Sequence, residues 1–403
     1  MKVTNKSISD FLSDVEMESV RRPIAEARTL PNIAYTSADF LALEIERIYM
    51  RHWTALCFVF DVPSPGDAFP VDYCGMPLVA VRGQDRIIRV FHNVCPYDGC
   101  PLVLSPKSGL ERLISPYHGW EYDLTGKLVA IPYWDGTQEG NLDALKGRDV
   151  DLVPVHVGTF LETVFVNLDD DPEDFGTFTA PIERQFSEYD LSIVAPGLDG
   201  EGIPIVTTHE RRCNWKTFYE NSALNVLHEN FVHDFYMVSP EVPRIKQDGV
   251  PSFENIVDEG LLALGFDAED FAATYPHMDI AHLGKGDVPP HRECFGTHYP
   301  NFYISFAPNF IEITAVLPHG PENIRERQAI LFHKDVAADP ALLKMRQFLV
   351  SAFDGASVED GAICEAVQRA RRSPVFTQKF YSPFWDELHY RFNKMILKDL
   401  ERK

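Results

Sequence analysis

Residues 214–233 read NWKTFYENSALNVLHENFVH, and the reading of this stretch decides the fold. Two histidines, His228 and His233, follow a polar group made by Glu220, Asn221 and Asn225. Asn214 suits a helix N-cap, and Thr217 to Leu227 contains neither proline nor glycine, so the pattern predicts a helix there. Ligands on one helical face stand at i and i+4, whereas a spacing of five turns the second histidine about 140° away. One metal shared by both requires the helix to widen or end between them. Spacing alone leaves that shared metal open beside two unrelated polar histidines.

The rest of the composition sets the background. With 403 residues the chain is long enough for two packed domains. Hydrophobic residues at 45%, charged residues at 24% and aromatics at 12% describe an ordinary globular protein. A net charge of −23 argues against nucleic acid or an anionic membrane as partner. The N-terminal MKVTNKSISDFLSDVEMESV lacks the apolar core of a signal peptide, and no stretch is apolar enough to span a membrane. Seven dispersed cysteines, at 57, 74, 95, 100, 213, 294 and 364, point to reduced thiols and a cytoplasmic location.

On the N-terminal side, Ser37 to Tyr49 carries apolar residues at helical spacing, with Ser37 or Asp39 available to start the helix. From Trp53 to Leu168 the period changes to that of short strands. Leu78–Val81 and Ile87–Phe91 flank Arg82-Gly-Gln-Asp85 as a hairpin, and further strands are expected at Tyr122–Leu124, Lys127–Ala130 and Phe160–Leu168. The acidic run 169–174 reads as a linker. Three domain ranges follow: 1–50 as the N-terminal helical part of the second domain, 51–170 as a small all-β domain, and 171–403 as that second domain. Within it, residues 238–295 read as a long, partly helical excursion. Phe302–Phe306, Phe310–Leu317 and Gln328–Phe332 read as antiparallel strands, and Ser357–Arg372 and Phe384–Leu400 as helices. The fold class is α+β.

Three further stretches carry chemistry. One loop reads NVCPYDGCPL over 93–102, a second reads SPYHGWEYDLTG over 115–126, and VEDGAICEAVQR spans 358–369. In the last, Ser357-x-x-Asp360 is also a capping-box pattern, so Asp360 has a structural reading beside any ligand role.

Taken together, N-W-K, E-N and H-x4-H, the two loops and the C-E-x-V-Q run resemble the Rieske-type non-haem iron oxygenases, the α subunits of aromatic-ring-hydroxylating dioxygenases and demethylases. The resemblance implies an antiparallel sheet gripping a long helix, and a mononuclear Fe(II) held by His228, His233 and Asp360, with Asp360 opening a C-terminal helix. Such a facial triad leaves positions for O2 and substrate. It implies a pocket lined by Asn221, Asn225 and residues of 238–317, for a small, aromatic or other organic substrate.

The same resemblance exposes departures. A Rieske [2Fe–2S] centre takes two thiolates and two imidazoles. Cys95 and His118 remain as cluster ligands, but Tyr97 stands where the family has histidine and Ser115 where it has cysteine, so the cluster is not expected intact in this chain. Asp98 replaces the usual arginine, and Asn225 replaces a bridging aspartate. The family assembles as trimers fed by a reductase or ferredoxin. The expectation is therefore Fe(II)-dependent hydroxylation or demethylation with electrons from a partner chain, in a trimer mixed with an intact α-type paralogue. Two alternatives stand beside it: a non-catalytic subunit of a heteromeric oxygenase, and a facial-triad enzyme that takes its electrons from the substrate.

Overall fold

The structure is a computed structural model that describes residues 3–222, 225–233, 253–267 and 280–402. The chain divides into two compact units, one of Ala55–Pro172 and one of Met1–Thr54 with Glu173–Lys403.

The smaller unit is all β apart from short helical turns. Its strands are β1 (Thr54–Phe58), β2 (Ala68–Tyr73), β3 (Met76–Arg82), β4 (Ile88–His92), β5 (Leu113–Ile114), β6 (Glu121–Tyr122), β7 (Leu128–Ala130), β8 (Pro154–Phe160) and β9 (Thr163–Asn167). Six of them form a sheet in the order β1-β9-β8-β4-β3-β2, and β5-β6-β7 form a second, three-stranded one. The β3–β4 hairpin closes around 83–87 as its turn residues predict. The run expected as one strand over 160–168 is instead the return arm of a hairpin, because Leu161 and Glu162 take positive φ and reverse the chain between β8 and β9. Val79, Val81, Phe91, Leu113, Trp120, Tyr122 and Leu128 make the core, and the Cys95 side chain is part of it. Gly126 is required here: its φ is +88°, and a Cβ would stand 2.5 Å from the Phe91 ring.

In the larger unit, strands β10 (Val194–Pro196), β11 (Val206–Arg211), β12 (Glu254–Asp258), β13 (Leu261–Asp267), β14 (Arg292–His298), β15 (Phe302–Ala307), β16 (Phe310–Pro318) and β17 (Ile324–His333) build one antiparallel sheet. Its order is β10-β17-β16-β15-β14-β13-β12, with β11 also paired to β17. The region 238–295, expected to be partly helical, contributes strands at 254–258, 261–267 and from 292, and its described residues 280–291 are turns and loop. Leu261–Asp267 is almost wholly buried, so it lacks the polar–apolar alternation that announces a half-exposed strand. Residues 234–252 and 268–279 lie outside the described residues.

Against this sheet lies a helix of 28 residues, Leu343–Ala370. It begins well before Ser357, so the expectation that Asp360 opens a helix, or caps one with Ser357, is corrected. Ser357 is buried in mid-helix, where its hydroxyl accepts from Arg211 Nη2 (2.6 Å) and donates to Glu326 Oε1 (2.6 Å). The buried residues Leu349, Ser357, Gly361, Cys364 and Gln368 recur at helical spacing and mark the inward face. Leu349 and Phe353 pack on Phe310, Ile330 and Phe332 of β16 and β17. Gly361 lets the helix approach closely, since a Cβ there would meet the Arg211 guanidinium at 2.3 Å. That guanidinium is itself fixed by Glu326 at 2.9 Å.

Candidate metal centre

The helix that carries the decisive stretch runs Trp215–Ser222, shorter than the Thr217–Leu227 expectation. Asn214 does lie at its start, accepting from Lys216 N at 3.0 Å. Its contacts with Leu343–Ala370 fix the register of the two helices. Gln368 Oε1 accepts from Asn214 N (3.0 Å) and Thr217 Oγ1 (3.1 Å), and Arg371 Nη2 pairs with Glu220 Oε2 (3.0 Å). Glu220 is fully enclosed and also meets Lys379 (3.2 Å) and His389 (3.3 Å). Burial opposes its charge, but Lys379, His389 and Arg371 outweigh that and hold its carboxyl well below the usual range.

Past residue 225 the backbone changes pitch. Val226–His228 is a 3-10 turn and Glu229–Val232 a single α turn. A continuous α-helix would point His228 and His233 apart. This break brings them together, with ring centroids 5.5 Å apart.

Asp360 completes the group. His228 Nε2 is 3.4 Å and His233 Nε2 3.7 Å from Asp360 Oδ1, and the three ligand atoms all lie within 4.8 Å of one another. Asp360 Oδ1 is buried and has no hydrogen-bond partner among the described residues. A buried carboxylate oxygen facing two imidazole nitrogens is a donor set that a cation satisfies, so the residues present fit a mononuclear iron. Burial would raise the Asp360 carboxyl; the contact with His228, the charges of His228 and His233 and the nearby Asn221 amide outweigh it and hold the pKa down. That amide stands close to the carboxylate but outside hydrogen-bond geometry.

The other ring nitrogens are also engaged. His228 Nδ1 bonds to the main-chain carbonyl of Asn225, and His233 Nδ1 to Glu359 Oε2 at 2.8 Å. When the rings are neutral, a donor proton on each Nδ1 leaves both Nε2 lone pairs facing the Asp360 side, as metal ligation requires. Asn225 is tied in turn, its Oδ1 accepting from Leu227 N (2.8 Å) and its Nδ2 donating to Asp386 Oδ1. Glu359 and Asp386 were missed in the sequence. Glu359 had a signal, as a second carboxylate beside Asp360. Asp386 had none, because its partner is 161 residues away.

The loops of the β unit are arranged differently. Asp98, with a side chain only 3% exposed, accepts from Cys100 N (2.9 Å), Ser115 Oγ (3.0 Å) and His118 Nδ1 (2.9 Å). Burial works against its charge, but Cys100 N–H, His118, the Cys95 thiol and Ser115 hold its carboxyl below the usual range. Tyr97 lies flat on Trp120, with centroids 4.8 Å apart and planes at 10°, and meets His118 edge-on. Cys95 Sγ is 3.5 Å from the Tyr122 hydroxyl. The residues at these four positions offer one thiol and one imidazole, and so do not fit the two-thiolate, two-imidazole donor set of a Rieske centre.

Comparison with known proteins places both units. Residues 52–143 match the Rieske [2Fe-2S] domain, and residues 205–401 match the ring hydroxylating alpha subunit (catalytic domain). The chain is 26% identical to the glycine betaine monooxygenase oxygenase subunit of Pseudomonas aeruginosa over 48% of its own length, and that match spans only 42% of the relative. It is 24% identical to the chloroplastic choline monooxygenase of Arabidopsis thaliana, covering 95% of this chain and 86% of that one. With the biphenyl dioxygenase subunit alpha of Metapseudomonas furukawaii it shares 27% identity over 80% and 75% of the two chains. A solved quaternary ammonium Rieske monooxygenase superposes with a TM-score of 0.74 at 18% identity, over 95% of this chain and 98% of that one. No helix among the described residues is long and apolar enough to cross a membrane. The β unit is thus similar to the Rieske domain and the second half of the chain to the ring-hydroxylating α-subunit catalytic domain, and the chain has the fold seen in that solved Rieske monooxygenase.

Proposed function

We propose that this chain is an α-type subunit of a non-haem iron oxygenase, in which His228, His233 and Asp360 hold Fe(II) and a small organic molecule is hydroxylated or demethylated with O2. The observation that carries the reading is the convergence of two imidazole nitrogens on a buried carboxylate oxygen that accepts no hydrogen bond among the described residues. Iron bound there supplies the chemistry of dioxygen activation. The chain's own groups do the rest. Asn225 and Glu359 hold the Nδ1 protons of the two imidazoles, and Asn221 stands over the carboxylate. The relatives act, by name, on glycine betaine, choline and biphenyl, which sets the range of substrates to try.

In this reading the electrons come from a partner chain with a complete cluster, served by a reductase or ferredoxin, within a mixed trimer. The donor set of Cys95, Tyr97, Ser115 and His118 supports it, because a chain without its own cluster needs another source. The same observation favours a second reading, a non-catalytic subunit of such an assembly. Metal analysis with oxygen uptake separates the two. About one iron per chain, lost in His228→Ala, together with product formation by the partnered complex that also fails in that variant, supports the first. A complex indifferent to His228→Ala leaves the second. Reductase-driven turnover by the isolated chain overturns the partner requirement.

A further inference from the structure

We propose that the Asp98 carboxylate is a latch that does in this β domain the joining that a cluster would do, and that it excludes one. The inference deepens the reading of residues 52–143 given above and is independent of the iron site. A [2Fe–2S] centre bridges two loops by covalent bonds to both. Here the first loop contributes Asp98, and the second loop meets it twice, through the Ser115 hydroxyl and the His118 imidazole. The Cys100 N–H binds the other carboxylate oxygen and fixes the turn that aims it. The carboxylate is thus enclosed and bonded on both oxygens, which is how a buried charge is made tolerable.

The geometry also accounts for the two unusual neighbours. Ser115 is 2% exposed, and its short hydroxyl reaches Asp98 while accepting from Tyr117 N at 3.4 Å. Tyr97 stacks on Trp120 and meets Trp134 and His118 edge-on. The ligand nitrogen His118 would need is engaged by a carboxylate from the opposite loop. A cluster could enter only by breaking that bond and accepting an extra negative charge beside thiolates and sulfides that are already anionic.

The test uses the full chain and two readouts. In Asp98→Asn, amide hydrogen exchange in both loops, 95–100 and 115–120, should speed up by about tenfold or more, while the 343–370 helix is unaffected. If the Asn variant does not fold, Asp98→Glu, which keeps the charge but displaces it, should give the same pattern more weakly. The second readout is anaerobic reconstitution with ferrous iron and sulfide. The pair Tyr97→His with Ser115→Cys should take up little cluster while Asp98 stays, and the triple change with Asp98→Asn should show the visible absorbance, iron and acid-labile sulfide of one cluster. Exchange in the loops unchanged by Asp98→Asn, or full cluster uptake by the double variant, overturns the latch. Neither result bears on iron bound by His228, His233 and Asp360, which metal analysis reads separately.

Discussion

The triad sets two histidines against an aspartate and the two loops of the β domain set one, and they do opposite things with it. At the triad, Asp360 keeps one buried oxygen without a hydrogen bond among the described residues, facing two Nε2 atoms whose rings are anchored from behind. In the loops, Asp98 has both oxygens bonded, and the imidazole it meets is one it holds directly. The difference teaches how to read a polar cluster. Convergence alone is common to both; what separates a ligand set from a latch is whether the acceptor has been left for something else.

The sharpest way to break this comparison is to remove one triad member at a time. Alanine at His228, His233 or Asp360 should reduce bound iron to near zero without unfolding the chain, by metal analysis set against the melting curve. Asp360→Ala with full iron would place Asp360 beside Asp98 as a purely structural acid.

A smaller effect is expected behind the ligands. Glu359→Gln removes the charge that holds His233 Nδ1–H while keeping a hydrogen-bond acceptor, and Glu359→Ala removes both. Iron affinity should fall by about 10–100-fold in the alanine variant and less in the glutamine one. A competition titration with a chelator measures it, and equal affinities for all three proteins would remove Glu359 from the site.

Smaller again is the contribution of Asp386, which acts at one further remove by holding the Asn225 side chain and Ser382 N. Asp386→Asn should cost roughly 1–2 kcal/mol of stability and weaken iron binding by less than about tenfold. A change in iron affinity as large as that of a ligand variant would mean that Asp386 touches the metal site directly.

A last effect, on stability and not on iron, comes from a buried acid outside both clusters. Glu312, on β16, accepts from Ser305 (3.0 Å), Gln328 (3.1 Å) and Thr314, and burial pushes its carboxyl up to about 7. An unfolded glutamate titrates near 4.3, so the folded chain holds this proton more tightly. The stabilisation is complete below the unfolded value and is lost as pH rises towards about 7. Glu312→Gln should therefore melt higher than the parent at about pH 8 and show no such gain at about pH 4. A gain of equal size at both pH values would show that Glu312 is not the titrating group.

Much of this molecule was legible without a structure. The hairpin at 78–91 and the strands at 302–333 follow from local alternation and turn residues, which act within a few positions. The start of the helix at Ser37 is equally local, its hydroxyl accepting from Phe40 N at 3.2 Å. His228, His233 and Asp360 were picked out by the family resemblance and not by residue type, since spacing alone left the histidines open and Asp360 also read as a cap. Tertiary structure decided the rest. The β-sheet membership of Leu261–Asp267 was hidden because LLALGF carries no polar residue to set up an alternation. Asp360 looked like a helix start because capping and ligation use the same residue types, and only the packing of Leu343–Ala370 on the sheet puts it in mid-helix, opposite the histidines. The break at 226–228 that turns His228 towards His233 has no proline or glycine to announce it. It is held by Asp386 and by hydrogen bonds within the turn, and a contact spanning 161 residues leaves no local mark in a sequence.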